Sequence, residues 1–566
     1  MPEPPSANQP TAPEPLTGIE PLTGIGVSPG LAAGPIHRVA PPPELPAGKP
    51  VTDPEAEVER AVAALATVAA DLGHRAGSAT DPTAAEILRA QVMMADDPVL
   101  WDAVSTGVRA GLDAPHAIAE ALLTHRAAFE AAGGYLAERV ADLDDLRDRA
   151  VAVCLGQPMP GIPTPAEPFV LIARDLTPAD TARLDPDRVL ALVTAAGGPT
   201  SHTAIVARSL GLPAVVRCPG VLDLPDGTLV SVDGTSGQVR AGIDTETVGA
   251  VRDRERRRRA RVADSTGPGR TADGHPVALL ANIGSARDLT GEVEGVGLFR
   301  TELLYLDRAE PPTHDEQVAA YAEVFAAMAG RKVVVRTLDA GADKPLPFLD
   351  QGEEPNPALG VRGLRTSRLR PDVLATQLDA IAEAARVNSA EVWVMAPMVT
   401  TTAEANGFAA RCRAAGLPTT GAMVEVPAAA LRAGSLLRVV DFLSIGTNDL
   451  SQYTFAADRQ CGDLADLLDP WQPVLLELIA RCADAGSAAG KPVGVCGEAA
   501  ADPGLALILT GLGVTSLSMS ARAVPAVRAA LAGHSLAECQ DMAESALAAG
   551  DAATARAVMA GVSASG

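Results

Sequence analysis

The sequence predicts a multidomain α/β protein: a small α/β domain carrying an inserted α-helical bundle, then a C-terminal (β/α)8 TIM barrel. Three observations carry this. Beyond residue 270, short apolar strands alternate eight times with helical sequence, which is the arithmetic of such a barrel. Between Phe169 and Val239, short apolar strands are separated by Gly and Pro turns, as in a compact α/β unit. Between Asp53 and about Ala150 the hydrophobic period switches to that of helices. At about 100–200 residues per domain, a 566-residue chain has room for three or four.

In chain order, residues 1–20 are Pro-rich, with PLTGI occurring twice (Pro15 to Ile19, Pro21 to Ile25), and read as a disordered lead-in. A strand-like stretch, Gly24 to Val39, has no partner nearby and is expected to complete the later α/β unit. That makes 21–52 plus 151–243 one domain and 53–150 an insertion into it. In the insertion Val58, Val62, Leu65, Ala69 and Leu72 form one apolar face, and Asp53 and Pro54 suit an N-cap and first helical residue. Residues 244–264 read as a polar linker helix and 265–566 as the barrel. Its strands are expected at 276–283, 295–301, 332–339, 392–398, 421–427, 441–449, 492–498 and 516–520.

Composition narrows the function. The net charge is −24 and the isoelectric point about 4.8, which argues against nucleic acid, since phosphate contacts need clustered Lys and Arg. The run Arg252 to Arg261 has seven arginines that could grip phosphates; a solvated interdomain helix is the simpler reading. Seven cysteines without a CxxC pair speak against a disulfide framework or zinc ribbon and for a reducing compartment. No Lys or Arg precedes Arg38 and no apolar core follows the start, so no signal peptide is expected. The apolar stretch Gly504 to Ala521 is broken by Gly, Thr and Ser, so no membrane insertion is expected, and the cytoplasm is the expected compartment.

Two constellations carry chemistry. GGPTSHTAIVARS (Gly197 to Ser209) sets His202 between hydroxyls in a Gly-rich turn where an apolar helix begins. Exposed backbone N–H groups and the helix dipole there suit a histidine that carries phosphate. A lone His would more simply be a local cap; the whole string argues otherwise. In barrels of this kind, chemistry gathers at the C-terminal strand ends, where Arg300, Arg336, Asp339, Glu425, Asn448, Asp449 and Cys496 fall. Arg300 and Arg336 suit a bidentate clamp on carboxylate and phosphate. Glu425 and Asp449 offer hard oxygens with open positions, as Mg²⁺ bound with a phosphorylated substrate requires. Asn448 can donate to a phosphate oxygen, and Arg459 can add a third cation. Cys496, taken alone, reads as a buried packing residue or as a proton donor to carbon.

These residues resemble the enzyme I family of the bacterial sugar phosphotransferase system, the phosphoenolpyruvate–protein phosphotransferases. The matching strings are GGPTSHTAIVARS, GVGLFRTE (295–302), VVRTLDAGADKPLPF (334–348), NPALGVRGLR (356–365), GAMVEVPAA (421–429), FLSIGTNDLSQYTFAADR (442–459) and GVCGE (494–498). They extend over nearly the whole chain after about residue 21. The resemblance implies a swivelling phosphohistidine domain and an acidic helical insertion that docks the carrier protein HPr. That segment has 8 basic and 18 acidic side chains, −10 of the total charge.

The resemblance also implies roles. His202 is the phosphorylated nucleophile, and Thr181 the hydroxyl partner of its ring. Arg300, Arg336, Asn448, Asp449 and Arg459 hold phosphoenolpyruvate, with Arg362 a further contact. Glu425 and Asp449 bind Mg²⁺, and Cys496 protonates the enolate to give pyruvate. A homodimer through the barrel is the family's usual state. Pro199, in place of a basic residue, and Ala342, in place of the commoner Gly, depart from the pattern without removing a group assigned chemistry. The related dikinases share the TSH loop but need an ATP-grasp domain. No Gly-rich nucleotide loop precedes His202 here.

Overall fold

The computed structural model describes residues 21–40, 42–78, 82–132, 140–163, 165–176, 184–198, 201–306, 308, 310–341, 346–349, 352, 354–459, 461, 464 and 466–562. Thr181, Pro199, Ala342 and the lead-in 1–20 lie outside them, as does the side chain of His202. Two compact units divide the chain near Val251.

The first unit contains an eight-stranded sheet in the order β1-β8-β7-β3-β4-β5-β6-β2. Its strands are β1 Leu22–Thr23, β2 Ile25–Ser28, β3 Leu31–Arg38, β4 Phe169–Ala173, β5 Val189–Thr194, β6 Ala214–Val216, β7 Leu229–Asp233 and β8 Gln238–Ala241. The stretch expected as one strand at 24–39 is two. Gly30 has φ +135°, a conformation open to glycine, and turns the chain between them. β2 then pairs with β6 at the sheet edge, while β3 lies centrally between β4 and β7. The strands β3 to β6 run parallel, and both faces of β4 and β5 are apolar, as strands covered on two sides must be.

After β3 the chain leaves the sheet and returns beside it as β4. Between them lie the helices Pro54–Ser78, Pro82–Ala95, Pro98–Arg109, Ala114–Ala132 and Val140–Leu155. Asp53 Oδ1 accepts from Ala56 N–H (3.2 Å) ahead of the first, a cap on one of its orphan donors. Leu65, Val68, Leu72, Val104, Ile118 and Leu146 fill the bundle core. Arg149 is buried within it, paired with Asp145 (2.9 Å) and Asp71 (3.7 Å). The helix Thr245–Ala263 contains the arginine run, and its one buried carboxylate, Glu255, holds Arg258 (2.7 Å) and Arg259 (2.9 Å).

The second unit is a closed parallel barrel of β9 Ala278–Ile283, β10 Gly295–Arg300, β11 Lys332–Arg336, β12 Glu391–Ala396, β13 Thr420–Val424, β14 Phe442–Ile445, β15 Val493–Val495 and β16 Ser516–Met519. Each overlaps a stretch where the sequence predicts one, β12 and β13 beginning one residue earlier. With few aromatics available, Val, Leu and Ala build most of the core between strands and surrounding helices. Trp393 and Phe442 pack together with ring centres 4.8 Å apart. Gly421 lacks the Cβ that would strike the Phe442 ring at 2.4 Å. Most strands end earlier than the sequence reading has them. β14 stops at Ile445 and a helix, Thr447–Phe455, begins two residues later. Apart from Arg300 and Arg336, which end their strands, the polar residues of the barrel mouth therefore sit on loops and first helical turns just past the ladder, where backbone pairing no longer fixes their direction.

Candidate active site

A cavity of about 380 Å³ opens at the C-terminal ends of the barrel strands. Arg300, Arg336, Glu425, Asn448, Asp449, Arg459 and Cys496 all line it, together with Glu302, Asp339 and Met423. Its volume is that of a small-molecule site.

Parallel register explains the arginine pair: Arg300 and Arg336 are opposite each other as the last residues of β10 and β11. Arg300 is exposed, whereas Arg336 is buried and held from two sides, by Glu302 (3.1 Å) and Asp339 (3.4 Å). Burial alone would lower the Arg336 pKa, but these carboxylates together with Glu425 raise it, so the guanidinium stays charged. Its backbone is fixed as well. Thr301 Oγ1 donates to Arg336 O (3.0 Å), and Gln377 Nε2 donates to Thr301 Oγ1 (3.0 Å).

The acidic side is more crowded. Glu425 follows β13, Asp449 lies in the first turn of Thr447–Phe455 after the neighbouring β14, and Asp339 sits beyond β11; all three are buried. Met398 N–H donates to Glu425 Oε2 (2.8 Å) from a backbone with φ +56°, an uncommon conformation for a non-glycine residue. Burial, then repulsion from Asp339 and Asp449, pushes Glu425 up to about 8. Gly446 approaches so closely that a Cβ there would lie 2.8 Å from Glu425 Cγ and 2.9 Å from Oε1.

Arg362 lies beneath this group instead of lining the cavity. It is 1% exposed and bridges Asp339 (3.5 Å) and Asp449 (3.4 Å), with a further bond to Tyr453 OH (3.0 Å). Arg459 reaches Asp449 at 4.0 Å, and Asn448 Oδ1 accepts from Glu498 N–H (3.4 Å).

Cys496, immediately after β15, is buried with Sγ 3.5 Å from Ile445 O. Burial pushes its thiol up to about 11, and Glu425 adds to this against the opposing pull of a bond to Ser444 and of Arg336 and Arg300. The thiol is therefore protonated at neutral pH.

Sequence reasoning assigned no role to Glu302, Asp339, Met398 or Met423. Glu302 follows Arg300 in the string RTE, and Asp339 was visible as a polar residue near a strand end. Their pairing with Arg336 depends on a fold that sequence spacing does not reveal.

In the first unit, Gly197 (φ +92°) lies in the turn after β5, and the helix His202–Leu210 begins at the histidine itself. The dipole of that helix therefore favours negative charge at its first turn. The adjoining Thr203 is buried and donates through Oγ1 to Asp175 Oδ1 (3.1 Å), a contact the sequence reading lacked.

Family models match three stretches of the chain: "PEP-utilising enzyme, N-terminal" over residues 23–139, "PEP-utilising enzyme, mobile domain" over 165–237 and "PEP-utilising enzyme, PEP-binding domain" over 258–536. The barrel with its arginine- and carboxylate-lined mouth thus falls in the class of PEP-utilising enzymes. A phosphoenolpyruvate-protein phosphotransferase of Streptomyces coelicolor is 55% identical over 513 residues, 90% of this chain and 92% of the relative. Proteins of the same name from Haloferax volcanii and Geobacillus stearothermophilus are 43% and 40% identical, covering 81% and 86% of this chain and 84% and 89% of their own. The chain belongs to the phosphoenolpyruvate-protein phosphotransferase family. Among the described residues, no helix is long and apolar enough to cross a membrane.

Proposed function

We propose that the chain transfers the phosphoryl group of phosphoenolpyruvate to its own His202 and then to the carrier protein HPr, releasing pyruvate. The observation that carries this is the convergence of three arginines, an asparagine amide, three buried carboxylates and a protonated thiol on one cavity of small-ligand size. Arg300, Arg336 and Arg459 match the carboxylate and phosphate of the substrate, and Asn448 and Asp449 complete the pocket.

Glu425 and Asp449 would hold Mg²⁺. The fit rests on a buried carboxylate cluster in which burial, then repulsion from Asp339 and Asp449, lifts Glu425 to about 8, and on a glycine that leaves the approach open. When bound, the metal supplies positive charge against the phosphoryl and enolate oxygens. The arginines spread the remaining charge, so catalysis is positioning plus electrostatics.

In the first step an imidazole nitrogen of His202 bonds to phosphorus while the P–O bond to the enolate oxygen breaks, its electron pair leaving with that oxygen. In the second, the Cys496 S–H bond breaks and its proton bonds to the methylene carbon, giving the methyl group and carbonyl of pyruvate. The thiolate left behind regains a proton from solvent.

The remaining parts of the reading follow the same logic. The acidic helical segment 53–150 docks a basic surface of HPr, an encounter that speeds at low salt. The histidine domain (21–52 plus 151–243) swivels about the linker 244–264 between that surface and the barrel 265–566, which pairs with a second copy. Thr181 orients the imidazole, Arg362 supports the pocket floor, and the protein works in the cytoplasm. The test is incubation with labelled phosphoenolpyruvate and Mg²⁺. The wild type is expected to take up one acid-labile phosphoryl group and His202→Ala none; equal labelling of the two would overturn the proposal.

A further inference from the structure

We propose that Asn282 is the positioning residue of the Cys496 thiol, holding the peptide that carries it; the inference rests on the reading of Cys496 as proton donor. Cys496 stands one residue past the last β15–β16 ladder pair, Val495 with Leu517, and continues towards β14 through its N–H on Ile445 O (3.0 Å). Its carbonyl is met by a side chain from one strand further round the barrel. Asn282, on β9, donates through Nδ2 to Cys496 O (3.0 Å) and to Ser518 O (3.2 Å). Its Oδ1 accepts from Ser518 Oγ (2.5 Å).

Both amide hydrogens and the amide oxygen are engaged, so the side chain has one orientation. One amide thus stitches the ends of β9, β16 and β15 together. Space for the stitch is provided by Gly297 on β10, where a Cβ would lie 2.4 Å from Ser518 Oγ. On the other flank, a Cβ at Gly497 would lie 1.8 Å from Thr447 Oγ1 and 2.7 Å from Thr447 N, so the segment is pressed against the start of the neighbouring helix.

The residues lining the cavity include Cys496 but not Asn282, which therefore acts through its neighbour and touches no substrate. Proton delivery to carbon depends closely on the thiol's place, and rotation of the backbone at Cys496 itself would carry the thiol with it. A tether on the Cys496 carbonyl blocks that rotation without adding any charge to the site.

The test is pyruvate formation in a single turnover by the full chain with Mg²⁺ and saturating phosphoenolpyruvate. Asn282→Ala is expected to slow it about 10–100-fold while leaving half-saturating phosphoenolpyruvate within about twofold. Ser518→Ala, which removes one hydroxyl and keeps the test alive if the first variant fails to fold, is expected to give a smaller loss with the same split. Combining either with Cys496→Ala is expected to slow the reaction no further than Cys496→Ala alone, because residues acting through one group are not additive. Unchanged rates in both single variants, or losses that multiply in the double variants, would overturn the tether. Full-rate pyruvate formation by Cys496→Ala would remove the proton-donor reading itself, and the tether with it.

Discussion

Gly446→Ala tests the acidic half of the barrel mouth with a single methyl group. Gly446 has φ −91° and ψ 86°, which alanine also tolerates, so the cost is one of contact and not of backbone strain. The new Cβ would lie 2.8 Å from Glu425 Cγ, where ordinary contact starts at 3.4 Å. The carboxylate arm must therefore retreat by at least about 0.6 Å. It has little freedom to do so, being 1% exposed and bonded through Oε2 to Met398 N–H at 2.8 Å. Overpacking of this kind costs about 1–3 kcal/mol of stability. A displaced metal ligand is expected to cost about 10–100-fold in pyruvate release and to raise the Mg²⁺ concentration needed for half-maximal rate. The assay is coupled pyruvate release across an Mg²⁺ titration at saturating phosphoenolpyruvate. A variant that folds and keeps the wild-type metal dependence would refute the placing of Glu425 at the cation.

Other expectations follow from burial and charge. Gly407 lies exposed in the helix Thr402–Ala414 with open space where a Cβ would go, so Gly407→Ala should gain about 0.5–1 kcal/mol in urea unfolding at unchanged activity. Arg149→Ala should destabilise the helical bundle by about 1–3 kcal/mol in urea unfolding, because Asp145 and Asp71 lose the buried cation they share, whereas Arg149→Met should cost less. Glu425 has an ordinary value of 4.5 and is lifted to about 8, so the folded metal-free chain holds that proton more tightly than the unfolded one. Its contribution to stability is therefore present at acidic pH and is lost as pH rises from about 4.5 to about 8. Melting in chelator should show Glu425→Gln gaining on the wild type over that range; parallel curves would contradict it.

The barrel was legible because each of its strands is a short apolar run in a regular alternation with helices, and no other common fold repeats that unit eight times. The residues of its mouth were legible for a related reason: charged and amide groups recur just past those runs. Strand ends were less so, since Asn448 and Asp449 look like a continuation of β14 until the helix start at Thr447 is seen. The edge strands β1 and β2 and the polar β8 (QVRA) are too short or too hydrophilic to stand out, their pairing being set by distant partners. Arg362 shows the deeper limit. Its sequence neighbourhood resembles a substrate loop, yet two buried acids draw it under the floor, and only three-dimensional charge balance decides that.

The position of β3 bears on how the chain is made. Ile36 pairs with Val170, and Leu31 pairs with Asp233, so the sheet's central strand leaves the ribosome long before either neighbour exists. The helices from Pro54 to Leu155 make mostly local contacts and can close first. Until β4 emerges, β3 remains a nascent strand with two bare edges, and one edge stays bare until β7 follows, a species open to wrong pairing. The proline at position 35 takes one donor out of those bare edges, and the folded bundle gives the late strands one place to add.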